Sequence, residues 1–592
     1  MLAPNRRALY VEALMPPLGF ELRDAVATTY SADPDVILGI PIHLALAARS
    51  ITNELEGSAI AILGALRRLA GRMIVFAQSG LVKVPSKPHA LYALLEPLLI
   101  DVRGKTGALH AKLWVLRFEN AEGEVRMRMI VPTRNLTSDR CWDAALVLDG
   151  VIAGGPKAAN RPIADLLLAL PDLAVNPASV TPGMKTQLGD LVQDLRRTEW
   201  EGPGDWDLVA FHVSGMSKKI PFPIEASDEL LVVSPFLSVD ALKMLADSTK
   251  RPRALVSRPE ELAKVGQKAF GRFDDVRVLG DTAAADPEGE VDLDSRLRGL
   301  HAKLYIATTR TTTDLWIGSA NATYSGLSGA RNVEILVQLR TKKRGQQPID
   351  DFLGSEGMGL LLEPFDPATE IDEPDQETTK RLEQCQEALS AAPLVLRAEG
   401  TANIWVTVLA PPSPIALPPS VVIRVWPLTM AYPMAVDGAG LRSGERVRLA
   451  EGELSMLTGL VAFELTEGTE TLRFVRNLPV HDMPAAREGE LLRAVIANRE
   501  GFLALMLALF GDRTTTFVGE TGATTGGVRW GHSTGHDGSG LLEHLVRACA
   551  TDKARLAEAV ALVSSLRTST DGADLVPKGF AELLGLLSEV PS

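Results

Sequence analysis

The sequence predicts an α/β core built from two copies of one unit, followed by a small antiparallel β domain and a helical C-terminal domain. Three observations predict it. Strand-like apolar runs alternate with helical patterns over residues 1–345, as in layered α/β domains. A short motif recurs within that stretch. The apolar period then changes to two over residues 404–480 and to a helical one after residue 488. The 592 residues leave room for roughly three to five domains at about 150 residues each.

Taken in order, residues 57–70 (GSAIAILGALRRLA) have helical spacing, and residues 73–76 and 98–102 are apolar runs that read as buried strands. Residues 110–116, 125–131 and 144–148 read as three more strands. The alternation restarts near Glu229, with strands at 230–234 and 254–256 around a helix at 239–246. The two copies therefore occupy residues 1–200 and 201–345. Residues 363–377 (EPFDPATEIDEPDQE) carry seven acidic residues and three prolines and read as an acidic linker. With a helix at 376–391 they fill residues 346–395. The runs IWVTVLA, VVIRVW, VAFEL and TLRFV alternate with Pro- and Gly-bearing turns, which places a β-sandwich-like domain at 396–482. Residues 483–592 read as helices around a glycine-rich loop at 519–540.

Composition excludes several classes. Hydrophobic residues at 46% and charged residues at 23% are those of a folded globular chain rather than a disordered or collagenous one. Three scattered cysteines, Cys141, Cys385 and Cys549, build no disulfide framework and no cysteine zinc site, which points to a reducing, cytoplasmic setting. The longest apolar run, FLALMLALF, is too short for a membrane span, which needs about 20 residues. The net charge of −13 repels polyanions overall, so a nucleic-acid partner requires a local positive surface. Residues 291–345 supply one, with nine Lys or Arg against four Asp or Glu, including Lys342, Lys343 and Arg344. His532, His536 and Asp537 lie in the glycine-rich loop and read as polar loop residues, not metal ligands.

The repeated motif is Leu109-His110-Ala111-Lys112-Leu113-Trp114 and Leu300-His301-Ala302-Lys303-Leu304-Tyr305. A polar turn follows each: Thr133-Arg134-Asn135 in the first copy and Ser319-Ala320-Asn321 in the second. An acidic residue then precedes a closing apolar run: Asp143 in one, Glu334 in the other. In extended chain, residues i and i+2 face one side, so His and Lys of H-A-K project together while Ala packs behind. Histidine serves as nucleophile or general acid, lysine as a compact charge for a phosphate oxygen, and the amides as neutral donors. Two such sets facing each other would surround one phosphodiester. One histidine would attack phosphorus and the other would protonate the leaving oxygen, with the lysines neutralising charge, so that no metal and no other cofactor is required.

The paired H-x-K and Asn motifs resemble the phospholipase D superfamily, which includes phospholipases, bacterial endonucleases and tyrosyl-DNA phosphodiesterases. The resemblance covers residues 1–345. That superfamily's usual aspartate, five residues after the lysine, is replaced by Arg117 and Thr308. Tyrosyl-DNA phosphodiesterases also lack it, and TRNLTSDRCW (133–142) is similar to their first asparagine turn. The resemblance implies two phospholipase D-like repeats packed as a pseudo-twofold core. It implies His110 as nucleophile, His301 as general acid and base, and Lys112, Lys303, Asn135 and Asn321 on the phosphate, with Ser319 and Thr133 nearby. It also implies that Glu334 orients His110 and Asp143 orients His301 from the opposite repeat.

The expected function is a metal-independent phosphodiesterase acting on nucleic acid, DNA ahead of RNA, with Arg134, Lys342, Lys343 and Arg344 on flanking phosphates. Arg134 serves equally well as the partner of a carboxylate. Two alternatives stand beside this: a phospholipid phosphodiesterase, for which no amphipathic membrane stretch is evident, and a nucleic-acid-binding subunit silent alone. The long region 396–592 suits a docked protein partner such as a helicase, and the resemblance suggests bacterial anti-phage defence.

Overall fold

The computed structural model describes residues 10–47, 69, 71–139, 141–216, 223–224, 226–280, 299–341, 348–367, 376–401, 404–496, 502, 505–506, 553–568, 572–577 and 579–588. The helical pattern at 57–70, the glycine-rich loop with His532, His536 and Asp537, and the basic cluster Lys342, Lys343 and Arg344 lie outside the described residues, Leu69 apart.

The first sheet has seven strands: β1 (Phe20–Thr29), β2 (Met73–Gln78), β3 (Leu99–Val102), β4 (Leu113–Asn120), β5 (Val125–Pro132), β6 (Ala145–Ile152) and β7 (Thr198–Trp200). Their order is β3-β2-β1-β4-β5-β6-β7. The second sheet holds β8 (Trp206–Ser214), β9 (Ser227–Val233), β10 (Thr249–Val256), β11 (Asp275–Leu279), β12 (Leu304–Thr308), β13 (Thr313–Gly318), β14 (Glu334–Thr341) and β15 (Leu362–Pro364). Its order is β15-β11-β10-β9-β12-β13-β14-β8. From β3 to β6 and from β11 to β14 the two sheets match strand for strand. In each, three strands run parallel and three follow antiparallel. β2 (MIVFAQ) is buried along its whole length, as expected of a strand covered on both faces. Two expectations need correction. The strands of the repeated motif begin at Leu113 and Leu304, so His110, Lys112, His301 and Lys303 stand on extended chain just before them. The stretch expected as an acidic linker starts within β15, an edge strand paired with β11 and anchored by its own buried Leu362.

One shared core lies between the sheets. It joins Val26, Ile74, Ala111, Leu113 and Met129 of the first to Leu231, Val233, Ala302, Leu304 and Ile317 of the second. Helices α1 (Pro34–Ala47), α2 (Arg161–Ala169) and α3 (Pro182–Arg197) accompany the first repeat, and α4 (Val239–Asp247) and α5 (Pro259–Val265) the second. Thr181 caps α3 by accepting from Met184 N, with Pro182 in the first turn, where a missing N–H costs nothing.

Helix α6 (Gln376–Ala391) follows, then two four-stranded sheets. These contain β16 (Val395–Thr401), β17 (Ile404–Ala410), β18 (Val422–Pro427), β19 (Val436–Asp437), β20 (Val447–Gly452), β21 (Leu460–Glu467), β22 (Glu470–Asn477) and β23 (Val480–His481). Their apolar faces meet in one core with Leu382, Cys385 and Leu389 of α6. Helices α7 (Arg487–Ile496), α8 (Lys553–Thr568) and α9 (Phe580–Ser588) form a further cluster. The β region is joined to the first repeat by buried polar bonds. Arg476 on β22 reaches Asp101 on β3 at 3.3 Å and donates to the carbonyls of Leu389 (2.6 Å) and Ala392 (2.7 Å).

Candidate active site

The two repeats exchange backbone bonds at the motif. Leu109 pairs with Val333 and Trp142 with Leu300, both parallel. His110 N donates to Val333 O at 2.9 Å, and His301 N to Trp142 O at 2.6 Å. The chain entering each H-x-K therefore lies against the chain entering the acidic residue of the other repeat. This crossing carries Glu334 to His110: its Oε2 is 2.9 Å from His110 Nδ1 and also accepts from Ser319 Oγ. With Nδ1 engaged, Nε2 is the ring nitrogen left to react.

The second histidine is held differently. His301 Nδ1 lies 3.0 Å from the Thr133 carbonyl and 3.0 Å from Lys303 Nζ. Lys303 Nζ donates in addition to the carbonyls of Thr133 (3.0 Å) and His301 (2.8 Å). Asp143, expected to orient His301, instead pairs with Arg134 at 3.4 Å. The physical reason is local. Aspartate is one methylene shorter than glutamate, and Arg134 stands where the second repeat has Ala320. The same arginine donates to the carbonyls of Thr137 and Asp139, so it clamps its own turn rather than facing a flanking phosphate. That corrects the nucleic-acid contact expected of it. Arg117, in place of the superfamily's aspartate, ties β4 to α3 through Asp194 (2.7 Å) and to β1 through Asp24 (3.3 Å).

The turns match in the same way. Thr133 N donates to Ala144 O and Ser319 N to Ile335 O, each at 2.8 Å, and each hydroxyl accepts from the same partner's N–H. Two positions on, Asn135 and Asn321 each bury an amide oxygen that has no hydrogen-bond partner. An unpaired buried amide atom costs about 1–3 kcal/mol, so both positions favour a ligand that bonds there.

Electrostatics join the two sets into one site. Burial holds His110 down to about 4, against the opposing pull of Glu334, and both lysines push it further down. Burial likewise brings Lys112 to about 7. Burial, then the charges of Lys303, Lys112 and Arg258, keeps His301 well below its ordinary value. Lys303 is lowered by burial and then by Lys112. Glu334 is held low by His110, Lys112 and Ser319 in spite of its burial. Each lysine thus acts on the histidine of the opposite repeat. The site holds more potential cations than it can keep charged, and an anion between them would relieve that repulsion.

Sequence reasoning missed two residues here. Tyr30, just after β1, sets its ring 4.8 Å from the His110 ring, edge to face, with Lys112 Nζ 5.4 Å from its centroid. Arg258, after β10, donates to Leu300 O at 2.8 Å. The signal that locates them is the duplication carried upstream of the motif, to Thr29 and Ser234 at the ends of β1 and β9. Among the described residues no three His, Cys, Asp or Glu are placed to hold a metal ion. No helix among them is long and apolar enough to cross a membrane.

No family model matches the chain, and no curated protein matches it either. Solved structures do. Two mutant forms of yeast tyrosyl-DNA phosphodiesterase 1 are each 12% identical, cover 55% of this chain and 84% of their own, and give TM-scores of 0.35 and 0.34. Phosphatidylserine synthase of Haemophilus influenzae is 11% identical over 64% of this chain and 95% of its own, with a TM-score of 0.30. These neighbours are phospholipase D superfamily members. Overlaps at such scores carry no argument of their own; the likeness to that superfamily rests on the paired motifs and their crossed partners.

Proposed function

We propose that the protein is a metal-independent phosphodiesterase working through a phosphohistidine on His110, with nucleic acid as substrate. The observation that carries this reading is the cluster of two histidines and two lysines, buried together and mutually discharging, with Glu334 behind one histidine only. His110 Nε2 attacks phosphorus. The bond to the leaving oxygen breaks as His301 gives that oxygen a proton. Water then attacks phosphorus, His301 takes its proton back, and the phosphorus–nitrogen bond breaks. Lys112 and Lys303 balance the charge on the phosphoryl oxygens, the part a divalent ion plays elsewhere. The asymmetry supports the division of roles. Glu334 fixes the His110 tautomer, whereas His301 lies between a proton acceptor, the Thr133 carbonyl, and a proton donor, Lys303.

Nucleic acid is favoured over lipid by the positive segment 291–345, nine Lys or Arg against four Asp or Glu, within a chain of net charge −13. Not all of that charge is free: Arg340 is forked on Asp314 at 2.6 and 2.9 Å. A cytoplasmic setting, and docking of a helicase-like partner on residues 396–592 in anti-phage defence, belong to the same proposal. The test is hydrolysis of DNA, RNA, phospholipid vesicles and a small chromogenic phosphodiester in EDTA. Wild type should cleave a nucleic acid and the small diester. His110→Ala should lose at least about 10³-fold, in line with removal of a catalytic nucleophile. Cleavage that persists in His110→Ala, or that vanishes in EDTA, contradicts the reading.

A further inference from the structure

The pseudo-twofold axis allows each residue beside the site to be compared with its counterpart. Leu136 N donates to Thr29 Oγ1 at 3.1 Å, and Ala322 N to Ser234 Oγ at 2.8 Å. Asp33 N donates to Leu136 O at 2.8 Å, and Ser238 N to Ala322 O at 3.0 Å. Ser31 is therefore the counterpart of Phe236, and Ser138 of Tyr324. Gln78 accepts from Leu109 N at 2.7 Å, while Arg258 donates to Leu300 O at 2.8 Å, which makes those two counterparts as well. Where the first repeat has two serines and a glutamine, the second has phenylalanine, tyrosine and arginine.

The substituted residues form one rim. Tyr324 N donates to Ser238 Oγ at 2.9 Å, which staples the loop carrying Phe236 to the asparagine turn. Phe236 is 39% exposed and Tyr324 49%, a cost that the packing of the second repeat does not require. Each ring lies under a guanidinium: Arg258 is 5.1 Å from the Phe236 centroid, and Arg331 is 5.8 Å from that of Tyr324. Arg258 also has Glu260 at 3.9 Å, yet its charge still reaches His301 and Lys303. The rim is thus continuous with the phosphate-binding cluster.

In the first repeat the chain that follows Gln78 is covered. Gln386 of α6 donates to Gly80 O at 2.7 Å, and Ser79 donates to Ser390 O at 3.0 Å. A Cβ at Gly80 would lie 1.7 Å from Ser390 Oγ, so nothing larger than glycine fits beneath the helix. Val82 pairs with Val475 of the β region. Glu383 and Glu387 of α6, together with Glu334, raise the Tyr30 hydroxyl further after burial has raised it; both glutamates are exposed, and Glu387 is paired with Arg103 at 3.0 Å, which leaves Glu383 as the negative charge on this side. Negative charge on that side favours a path for a polyanion over the second repeat.

We propose that Phe236 and Tyr324, with Arg258 and Arg331, form a one-sided track that stacks the bases of a single-stranded nucleic acid leaving the scissile phosphate over the second repeat. Aromatic faces accept any base, the arginines meet the backbone, and a duplex offers no such faces. This deepens the phosphodiesterase reading and rests on it for the position of the phosphate.

The test compares a short labelled oligothymidylate with an abasic strand of equal phosphate count, bound to the full-length protein in EDTA and followed by fluorescence anisotropy. Cleavage is suppressed by His110→Ala where needed. The base-bearing strand should bind about tenfold tighter, the size expected of stacked bases. Phe236→Ala with Tyr324→Ala should reduce that preference to within about twofold, and Phe236→Trp with Tyr324→Phe should retain it, because the rings remain. Equal binding of the two strands by wild type, a preference that survives the double alanine variant, or rings that matter only for binding to anionic phospholipid vesicles would each overturn the track. The small chromogenic diester separates the two claims. Its hydrolysis without any base preference removes the track alone, and a base preference without hydrolysis removes the enzyme alone.

Discussion

A single methylene and a single arginine set the two histidines apart. Glu334 reaches His110, while Asp143, shorter and drawn off by Arg134, leaves His301 to a carbonyl and a lysine. Glu334→Gln should therefore lower kcat by about 10²–10⁴-fold, and Asp143→Asn by less than about tenfold, measured on a small chromogenic diester. Equal losses would mean that the two carboxylates do the same work. Lys112 gives a pH signature. In the proposed mechanism its charged form binds phosphate, and with its ammonium brought down to about 7 that form is lost as pH rises through about 7. kcat/KM, which reports the free enzyme, should fall roughly tenfold per pH unit above that point. A bound phosphate restores the charged form, so kcat should hold to higher pH. A kcat/KM flat to pH 9 would contradict this. The His-Lys pairs were legible in the sequence because the chemistry needs both residue types within three positions. The partner of His301 was not, since it depends on which of two side chains Arg134 leaves available.

Strands and helices carry the next layer. The apolar runs that mark β2, β3, β4 and β5 are visible because buried strands need continuous apolar residues; β1, broken by Glu21, Arg23 and Asp24, was not legible in the sequence. The start of β4 at Leu113 was not legible, because the extended chain before it has the same alternation and lacks only ladder bonds. Nor was the seam between β3 and β22, where one arginine and one carboxylate, 375 residues apart, are buried together. Burial raises Asp101 and lowers Arg476 despite their contact, so desolvation outweighs the attraction, and each depends on the other to remain charged. Arg476→Ala strands Asp101 and two backbone carbonyls. It should cost about 3–5 kcal/mol in denaturant unfolding. A loss below about 1 kcal/mol would show that the seam is wet or loosely packed.

At the scale of the molecule, duplication supplies two half-sites, and the crossed bridges at Leu109 with Val333 and Leu300 with Trp142 bring them to one place. The repeat was the strongest signal in the sequence for that reason: under the proposed mechanism both halves supply the same groups to one phosphorus. What the duplication does not determine is how the halves diverged. α6 and the β region cover the first, and exposed aromatics rim the second.

The most direct measurement is the capture of the covalent intermediate. His301→Ala should still allow His110 to attack a diester whose leaving group needs no proton, such as a nitrophenyl ester, while slowing the water step that His301 would assist. Rapid quenching into alkali, where phosphohistidine survives, followed by peptide mapping should find the phosphoryl adduct on His110. An adduct on any residue other than His110, or no adduct at all while hydrolysis proceeds, would contradict the account.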